Sequence, residues 1–236
     1  MTPRMRRTSG ILATLLVAAT AAAGPALAAD GGAPGPEIGA RTGYGFSAGH
    51  LGAPANGNDN NLGDYVGGQW PIWIDAGYRV TGDLYLGGYL QYGVGFVNDD
   101  QQNACRNANV SCSASDFRIG IMARYRLPQV WQLSPWAGYG FGYEWGSFSL
   151  DQTVLGNTST DSGWSGFELA NLQLGADYQL SPRFALAPFV SVSFGEFRTT
   201  STSTTNGTTT TTNDQDLVRR SFHEWILIGV RVAFTP

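Results

Sequence analysis

Charged side chains alternate with apolar ones along several segments of this sequence. The pattern is clearest in residues 116–127, where Arg118, Arg124 and Arg126 are separated by apolar residues. In segments of this kind, nine charged residues lie on the face opposite the apolar side chains: Arg41, Asp75, Arg79, Arg118, Arg124, Arg126, Glu144, Asp177 and Arg231. Opposite charges in a protein interior need partners. We therefore predict an ion network that fills the interior, and the alternative is a polar path for ions or small solutes.

The two histidines are the other side chains with catalytic potential. A hydrolase needs Ser, His and a carboxylate together, and Ser47, His50, Glu144 and His223 all fall near one end of their segments. Hydrogen bonding at the rim is the simpler role for both histidines. We predict no catalytic residue, no cofactor and no metal site, and a lipid-modifying enzyme is the least favoured alternative.

Cys105 and Cys112 are the only cysteines. A single close pair in an exported protein predicts a disulfide. Closing so short a loop stabilises a fold by roughly 2–3 kcal/mol in the chain-entropy model. A metal site is the weaker interpretation, because neither a histidine nor a second cysteine pair lies close in the sequence.

Period-two alternation predicts the strands that carry these side chains. In residues 221–234, Ile226, Ile228 and Val230 lie on one face, and Trp225 and Arg231 lie on the other. The same alternation predicts eight strands at about residues 38–49, 69–80, 84–97, 116–127, 135–148, 167–180, 184–197 and 221–234.

Two prolines fall within these segments. Proline donates no ladder hydrogen bond. We therefore predict a strand start or a bulge at Pro71, and a bulge at Pro188.

One face of each predicted strand is apolar, as if built for lipid. The arginines of residues 116–127 cannot share that face, because each would cost about 2–4 kcal/mol at the bilayer midplane. A sheet edge cannot lie open in hydrocarbon. We predict an all-β, eight-stranded antiparallel up-and-down transmembrane β-barrel whose last strand closes on the first. A soluble sandwich or lipocalin-like barrel would leave the apolar faces in water.

The connections alternate between long and short. Long loops are predicted at about residues 50–68, 98–115, 149–163 and 199–217, and they define the loop side of the barrel; the short connections define the turn side. The Thr-rich segment 199–216 is of low complexity and too polar to form a core. We interpret it as a solvated spacer or as an adhesive tip.

The N-terminus predicts export. Arg4, Arg6 and Arg7 precede an apolar run, and Ala26-Leu27-Ala28 suits cleavage. We predict a signal peptide at 1–28 and a barrel at 29–236. Cleavage removes three arginines and no acid, so the net charge falls from −4 to −7. This balance argues against a nucleic-acid partner.

The chain resembles the small eight-stranded outer-membrane barrels of the OmpA-type, OmpX-like and OmpW-like group. The signal peptide, the eight alternating segments, the loop asymmetry and the last strand carry the resemblance, although Thr235 and Pro236 follow the terminal aromatic Phe234. We expect no peptidoglycan-binding domain.

The resemblance implies a monomer in the outer membrane of a Gram-negative bacterium. Its partners would be outer-membrane lipids, the barrel assembly machinery during biogenesis and a surface ligand bound by the loops. We expect a structural or surface-interaction role, and the alternative is a narrow channel or carrier for small solutes.

Overall fold

Alternating strands form almost the whole structure, a computed structural model that describes residues 33–55, 57–98, 105, 109–153 and 158–236. The predicted signal peptide lies outside these residues. The described strands and helix are β1 Gly35–Gly49, α1 Leu62–Tyr65, β2 Val66–Arg79, β3 Leu84–Val97, β4 Val110–Arg126, β5 Leu133–Gln152, β6 Thr158–Ser181, β7 Phe184–Asn206, β8 Thr209–Asp216 and β9 Phe222–Phe234. Among the described residues, no helix has the length and hydropathy of a membrane span.

Eight of the strands close into a ring. Each of β1 to β7 pairs antiparallel with its neighbour in sequence, and β9 closes the ring by pairing with both β7 and β1. Opposite residues include Arg41 and Arg231 across β1 and β9, and Pro188 and Val230 across β7 and β9. The predicted eight-stranded antiparallel up-and-down barrel is confirmed.

The two faces of the ring have opposite chemistry. Charged and amide side chains are buried inside, and Arg231 is fully buried among them. Large apolar side chains stay exposed on the outer face of every ring strand, for example Ile38, Ile72, Leu90, Ile121, Tyr139, Leu172, Leu186 and Ile228. Hydrocarbon is the environment that such a continuous apolar surface requires, so the barrel is a transmembrane one.

Aromatic side chains mark both ends of the apolar surface. Exposed loop-side aromatics include Trp70, Phe96, Phe117, Trp145, Phe194 and Phe222, and exposed turn-side aromatics include Tyr78, Tyr125, Tyr178 and Phe184. Two such girdles are typical of the membrane–water interfaces of a barrel.

The Thr-rich segment forms a hairpin, where a loop was expected. The strand β7 runs on to Asn206 and pairs along its end with β8, which lies outside the ring. Threonine is β-branched and favours strands, and a two-residue turn at Gly207 (φ 61°) suits a hairpin. The segment is nevertheless too polar for a core, because every residue of β8 is exposed.

The predicted bulge at Pro188 and the predicted strand start or bulge at Pro71 are wrong, because the register does not shift at either proline. Pro71 lies inside β2, and the register with β1 is the same on both sides of it. Thr42 Oγ1 donates to the Pro71 carbonyl (3.0 Å), and Trp70 Nε1 donates to Thr42 Oγ1 (2.8 Å), so side chains bridge the interrupted ladder. Pro188 pairs with β9, and the register between β6 and β7 is unchanged across it.

Arginine at the outward position of Ile121 tests the membrane assignment. This side chain is 69% exposed and lies on β4 midway between the girdle residues Phe117 and Tyr125. We expect Ile121→Arg to lower the free energy of unfolding by about 2–4 kcal/mol in lipid vesicles. Leu180→Arg, on the same face at the turn side, is the matched control and should cost only about 0–1 kcal/mol. Denaturant titration measures both, and equal costs would contradict a bilayer around the barrel.

Candidate functional site

Glu37 is the centre of an ion network at the turn side of the interior. Its carboxylate accepts hydrogen bonds from Arg79, Arg124 and Arg231, the last at 2.7 Å. Gly39 leaves room for the network, because a Cβ there would lie 2.6 Å from an Asp75 oxygen. The turn-side cluster consists of Glu37, Arg41, Asp75, Arg79, Arg124, Arg126, Asp177 and Arg231.

Carboxylates separate the arginines of this cluster. Arg41 and Arg231 are directly opposite across the strands that close the ring, where like charges repel. Asp75 accepts from both, at 2.8 Å from Arg41 Nε and 3.2 Å from Arg231 Nη2. Arg231 Nη1 also lies 3.7 Å from Asp177, which is 3.8 Å from Arg126. The guanidinium of Arg231 therefore bridges three carboxylates.

A second network lies toward the loop side. Arg118 is 2.9 Å from Asp116, 3.2 Å from Glu144 and 3.3 Å from Glu168. His223 Nε2 lies 3.0 Å from the other oxygen of Glu144, and its ring stacks on Phe197. The loop-side cluster consists of Asp116, Arg118, Glu144, Glu168 and His223.

An aromatic layer joins the two clusters. Its members are Trp73, Tyr85, Tyr89, Met122, Trp136, Ala187, Phe189 and Leu227. Tyr89 donates its hydroxyl to Glu168 on the loop side, and Trp136 Nε1 donates to Asp177 at 3.0 Å on the turn side. The guanidinium of Arg41 lies 4.4 Å above the Trp73 ring. Charged and aromatic side chains together fill the interior, as expected for eight strands.

The structure places all nine predicted charges in these two clusters. The two clusters also contain three carboxylates that are not among the predicted charges: Glu37, Asp116 and Glu168. Glu37 precedes the first predicted strand at about residues 38–49, but β1 begins at Gly35. Glu168 has outward parity in the sequence, and a register shift between Glu168 and Ala170 turns it inward. The surplus of arginine expected at the turn side is thus partly offset by Glu37.

The formal charges of the two clusters are opposite. The turn side has five arginines and three carboxylates, an excess of two positive charges. The loop side has one arginine and three carboxylates, which is a formal excess of two negative charges between them. The interior is therefore balanced as a whole and polarised along its axis.

Of the candidate hydrolase residues, His223 and Glu144 are in contact, whereas Ser47 and His50 have other partners. Ser47 stands in Gly45-Phe46-Ser47-Ala48-Gly49, which matches the letters of a nucleophile elbow, yet it lies inside β1 and not at a strand-to-helix turn. Its hydroxyl donates to the carbonyl of Val66. His50 is half exposed beside Asp59, whereas His223 is buried with Glu144.

A hydrophobic cap covers the loop-side cluster. Its buried members are Leu51, Leu62, Val66, Ala114, Phe148, Phe197, Leu217 and Trp225. Trp225 Nε1 donates to Glu144 at 3.1 Å, which ties the cap to the charges below it. The predicted disulfide between Cys105 and Cys112 is confirmed, and Cys112 contacts the cap. The cap is built from the segments that follow β1 and β8 and from the loop-side parts of the neighbouring strands.

Solved structures provide the similarity, and sequences do not. No protein-family model and no curated protein matches the chain. A major outer membrane protein from Thermus thermophilus superposes with a TM-score of 0.54 at 13% identity, covering 84% of this chain and 98% of that one. The chain has the fold of an outer-membrane β-barrel. Neisserial surface protein A gives 0.48 at 13% identity, covering 85% and 97%.

Arg231→Met tests the turn-side cluster. Methionine keeps much of the side-chain length but leaves Glu37, Asp75 and Asp177 short of a buried cation. Removing one partner of a buried ion network costs about 3–5 kcal/mol, and we expect that loss in a denaturant titration in vesicles. Arg183→Met, at the exposed turn-side rim, is the control and should change stability by less than about 0.5 kcal/mol. A loss below about 1 kcal/mol for Arg231→Met would show that the network is not needed.

Proposed function

We propose that the protein is a monomeric outer-membrane barrel that acts through the region above its loop-side rim. One observation carries the proposal: β5, β6 and β7 continue beyond the loop-side cluster and join β8 in a projecting sheet. There β6 pairs with β7 from Thr158 to Ser165, and β7 pairs with β8 from Thr199 to Asn206. A long, ordered projection on a membrane barrel suits contact with molecules outside the cell.

The surface of this sheet is suited to recognition. Its side chains are mostly hydroxyls and amides, and hydroxyls pair across the strands, as between Ser203 and Thr212 or Thr205 and Thr210. Such side chains keep the surface of the sheet hydrated, and they offer hydrogen-bond donors and acceptors to a ligand.

The filled interior weighs against conduction. Trp73, Trp136, Arg118 and Arg231 are among the largest fully buried side chains, and they belong to the aromatic layer and the two clusters. The cap then covers the loop side. A solute would have to displace paired charges and aromatic rings at several levels, so the narrow channel or carrier is the less favoured proposal.

The proposal also includes a route to the membrane and an orientation in it. Export with removal of residues 1–28 would deliver the chain to the periplasm, and the assembly machinery would insert it among outer-membrane lipids. The turn side, with both ends of the barrel, would then face the periplasm, and the projecting sheet would face outward.

An epitope tag tests this orientation. We expect a tag inserted after Gly207, at the tip of the β7–β8 hairpin, to bind antibody on intact cells. The matched control is the same tag after Gly82 in the turn between β2 and β3, which should bind antibody only after the outer membrane is permeabilised. The reverse pattern would contradict the proposed orientation.

Trimming the hairpin tests the surface role. Ser201 and Asp214 are opposite each other, so an Asn-Gly turn can replace residues 202–213 without touching the ring. We expect cells with the intact protein to adhere to wells coated with mucin, polysaccharide or matrix protein, and cells with the trimmed protein to lose that adhesion. Heat-modifiable gel migration should show that both barrels are folded.

Planar-bilayer recordings provide the opposing outcome. We expect the intact protein to give no reproducible conductance steps. Regular unitary steps, together with no hairpin-dependent adhesion on any coating, would replace the surface role with the channel.

A further inference from the structure

A cleft of about 230 Å³ lies above the cap, between the segment that follows β1 and the projecting sheet. Leu51 and Leu217 of the cap, with Tyr65 of α1, line its base. The side chain of Trp164 on β6 is half-buried in it. The cleft is smaller than the roughly 300–1,000 Å³ of drug-sized sites, so it suits one small ring or the end of a chain.

Amides and hydroxyls line the walls of the cleft. Asn58 and Asn60 come from the segment after β1, and Asn213 and Gln215 come from β8. Hydroxyls of Ser162, Thr200 and Thr202 line the wall formed by β6 and β7. Of the described residues that line the cleft, none carries a formal charge. An anionic ligand would call for arginine or lysine, so this lining selects an uncharged, polar ligand.

Amides suit one class of such ligands. Each carboxamide offers both donors and an acceptor, as do the neighbouring hydroxyls. A sugar hydroxyl also donates and accepts, so four amides and three hydroxyls can match several sugar hydroxyls at once. A flat aromatic peptide side chain would leave most of these groups unpaired.

Trp164 supplies the apolar surface that a sugar ring needs. Its ring meets Tyr65 edge-on, with centroids 5.5 Å apart, and Tyr65 meets Phe148 of the cap in the same way at 5.8 Å. Asn60 Nδ2 donates to the Tyr65 hydroxyl at 3.2 Å. These contacts hold the indole in place, and its large face offers contact area at little cost in conformational entropy.

The segment opposite Trp164 is tied in place. Leu51 N donates to Asn60 O at 2.8 Å, and Ala53 exchanges hydrogen bonds with Arg219 in the link between β8 and β9. Asp59, between the cleft residues Asn58 and Asn60, is part of this scaffold, because it accepts from Gly52 N and from Ser221 Oγ. The cleft is therefore preformed, which limits the entropy lost on binding.

We propose that this cleft binds an uncharged sugar residue, either on an external glycan or on the carbohydrate of a surface lipid. The pyranose ring stacks on Trp164, and its hydroxyls bond with Asn60, Asn213 and Gln215. The inference rests on the proposed surface role and names its ligand class.

The test uses the full-length mature protein in lipid nanodiscs. An array of neutral oligosaccharides and their sialylated and sulfated counterparts identifies the probe, and calorimetry with the best neutral sugar gives the dissociation constant. We expect Trp164→Ala to weaken binding by about tenfold or more, the loss of one aromatic contact. Trp131→Ala is the matched control, an exposed tryptophan at the turn side, and should leave affinity unchanged.

A second variant guards against misfolding of the cap. Asn213 and Gln215 are exposed on β8, outside the ring. Asn213→Ala with Gln215→Ala should weaken binding by about fivefold or more, from two lost hydrogen bonds, with unchanged heat-modifiable migration. Binding that survives in both variants, or binding of anionic sugars alone, would overturn the assignment.

Two further measurements distinguish the source of the sugar and distinguish this inference from the surface role. Nanodiscs with lipopolysaccharide should show competition if the cleft holds sugars of the cell's own surface, and full binding if it takes external glycans. Hairpin-dependent adhesion without any neutral-sugar binding would reject this inference and keep the surface role. If neither hairpin-dependent adhesion nor neutral-sugar binding is observed, both the surface role and this inference are rejected.

Discussion

Closure of the backbone ladder in hydrocarbon is the constraint on which the rest of this structure depends. Peptide groups cannot remain unpaired where water is absent, so β9 must satisfy both β7 and β1. Closure places one face of each strand outside and the other inside. Apolar side chains such as Ile121 then face the lipid, and every charged side chain that points inward needs a partner within a narrow interior.

The charges inside the barrel are paired by being grouped around shared partners. Glu37 accepts hydrogen bonds from arginines of three other strands, and Arg118 lies within ion-pair distance of three carboxylates. Opposite excesses at the two ends are linked through aromatic side chains such as Tyr89 and Trp136, which bond with one cluster each. The result is a filled, polarised barrel, a rigid base for whatever stands above it.

The loop-side structures stand on this filled barrel. The cap turns the top of the barrel into a small hydrophobic core, and the strand extensions place hydroxyls and amides above it. Because Tyr65 contacts both the cap residue Phe148 and Trp164, the packing that closes the lumen also positions the side chains of the cleft. Closure of the lumen and the shape of the cleft are therefore parts of one arrangement.

The sequence alone determined the strand faces and the barrel, since alternation in segments such as residues 116–127 follows from local stereochemistry and from the cost of charge in lipid. Only the tertiary structure decided the rest. The inward turn of Glu168 depends on a register shift, and the place of Glu37 depends on where β1 begins. At Pro71 the register is kept across a gap in the ladder that Thr42 and Trp70 bridge with side-chain hydrogen bonds. The cleft joins segments far apart in the chain. Local patterns report which face a side chain prefers, but pairing across strands sets which side chains meet.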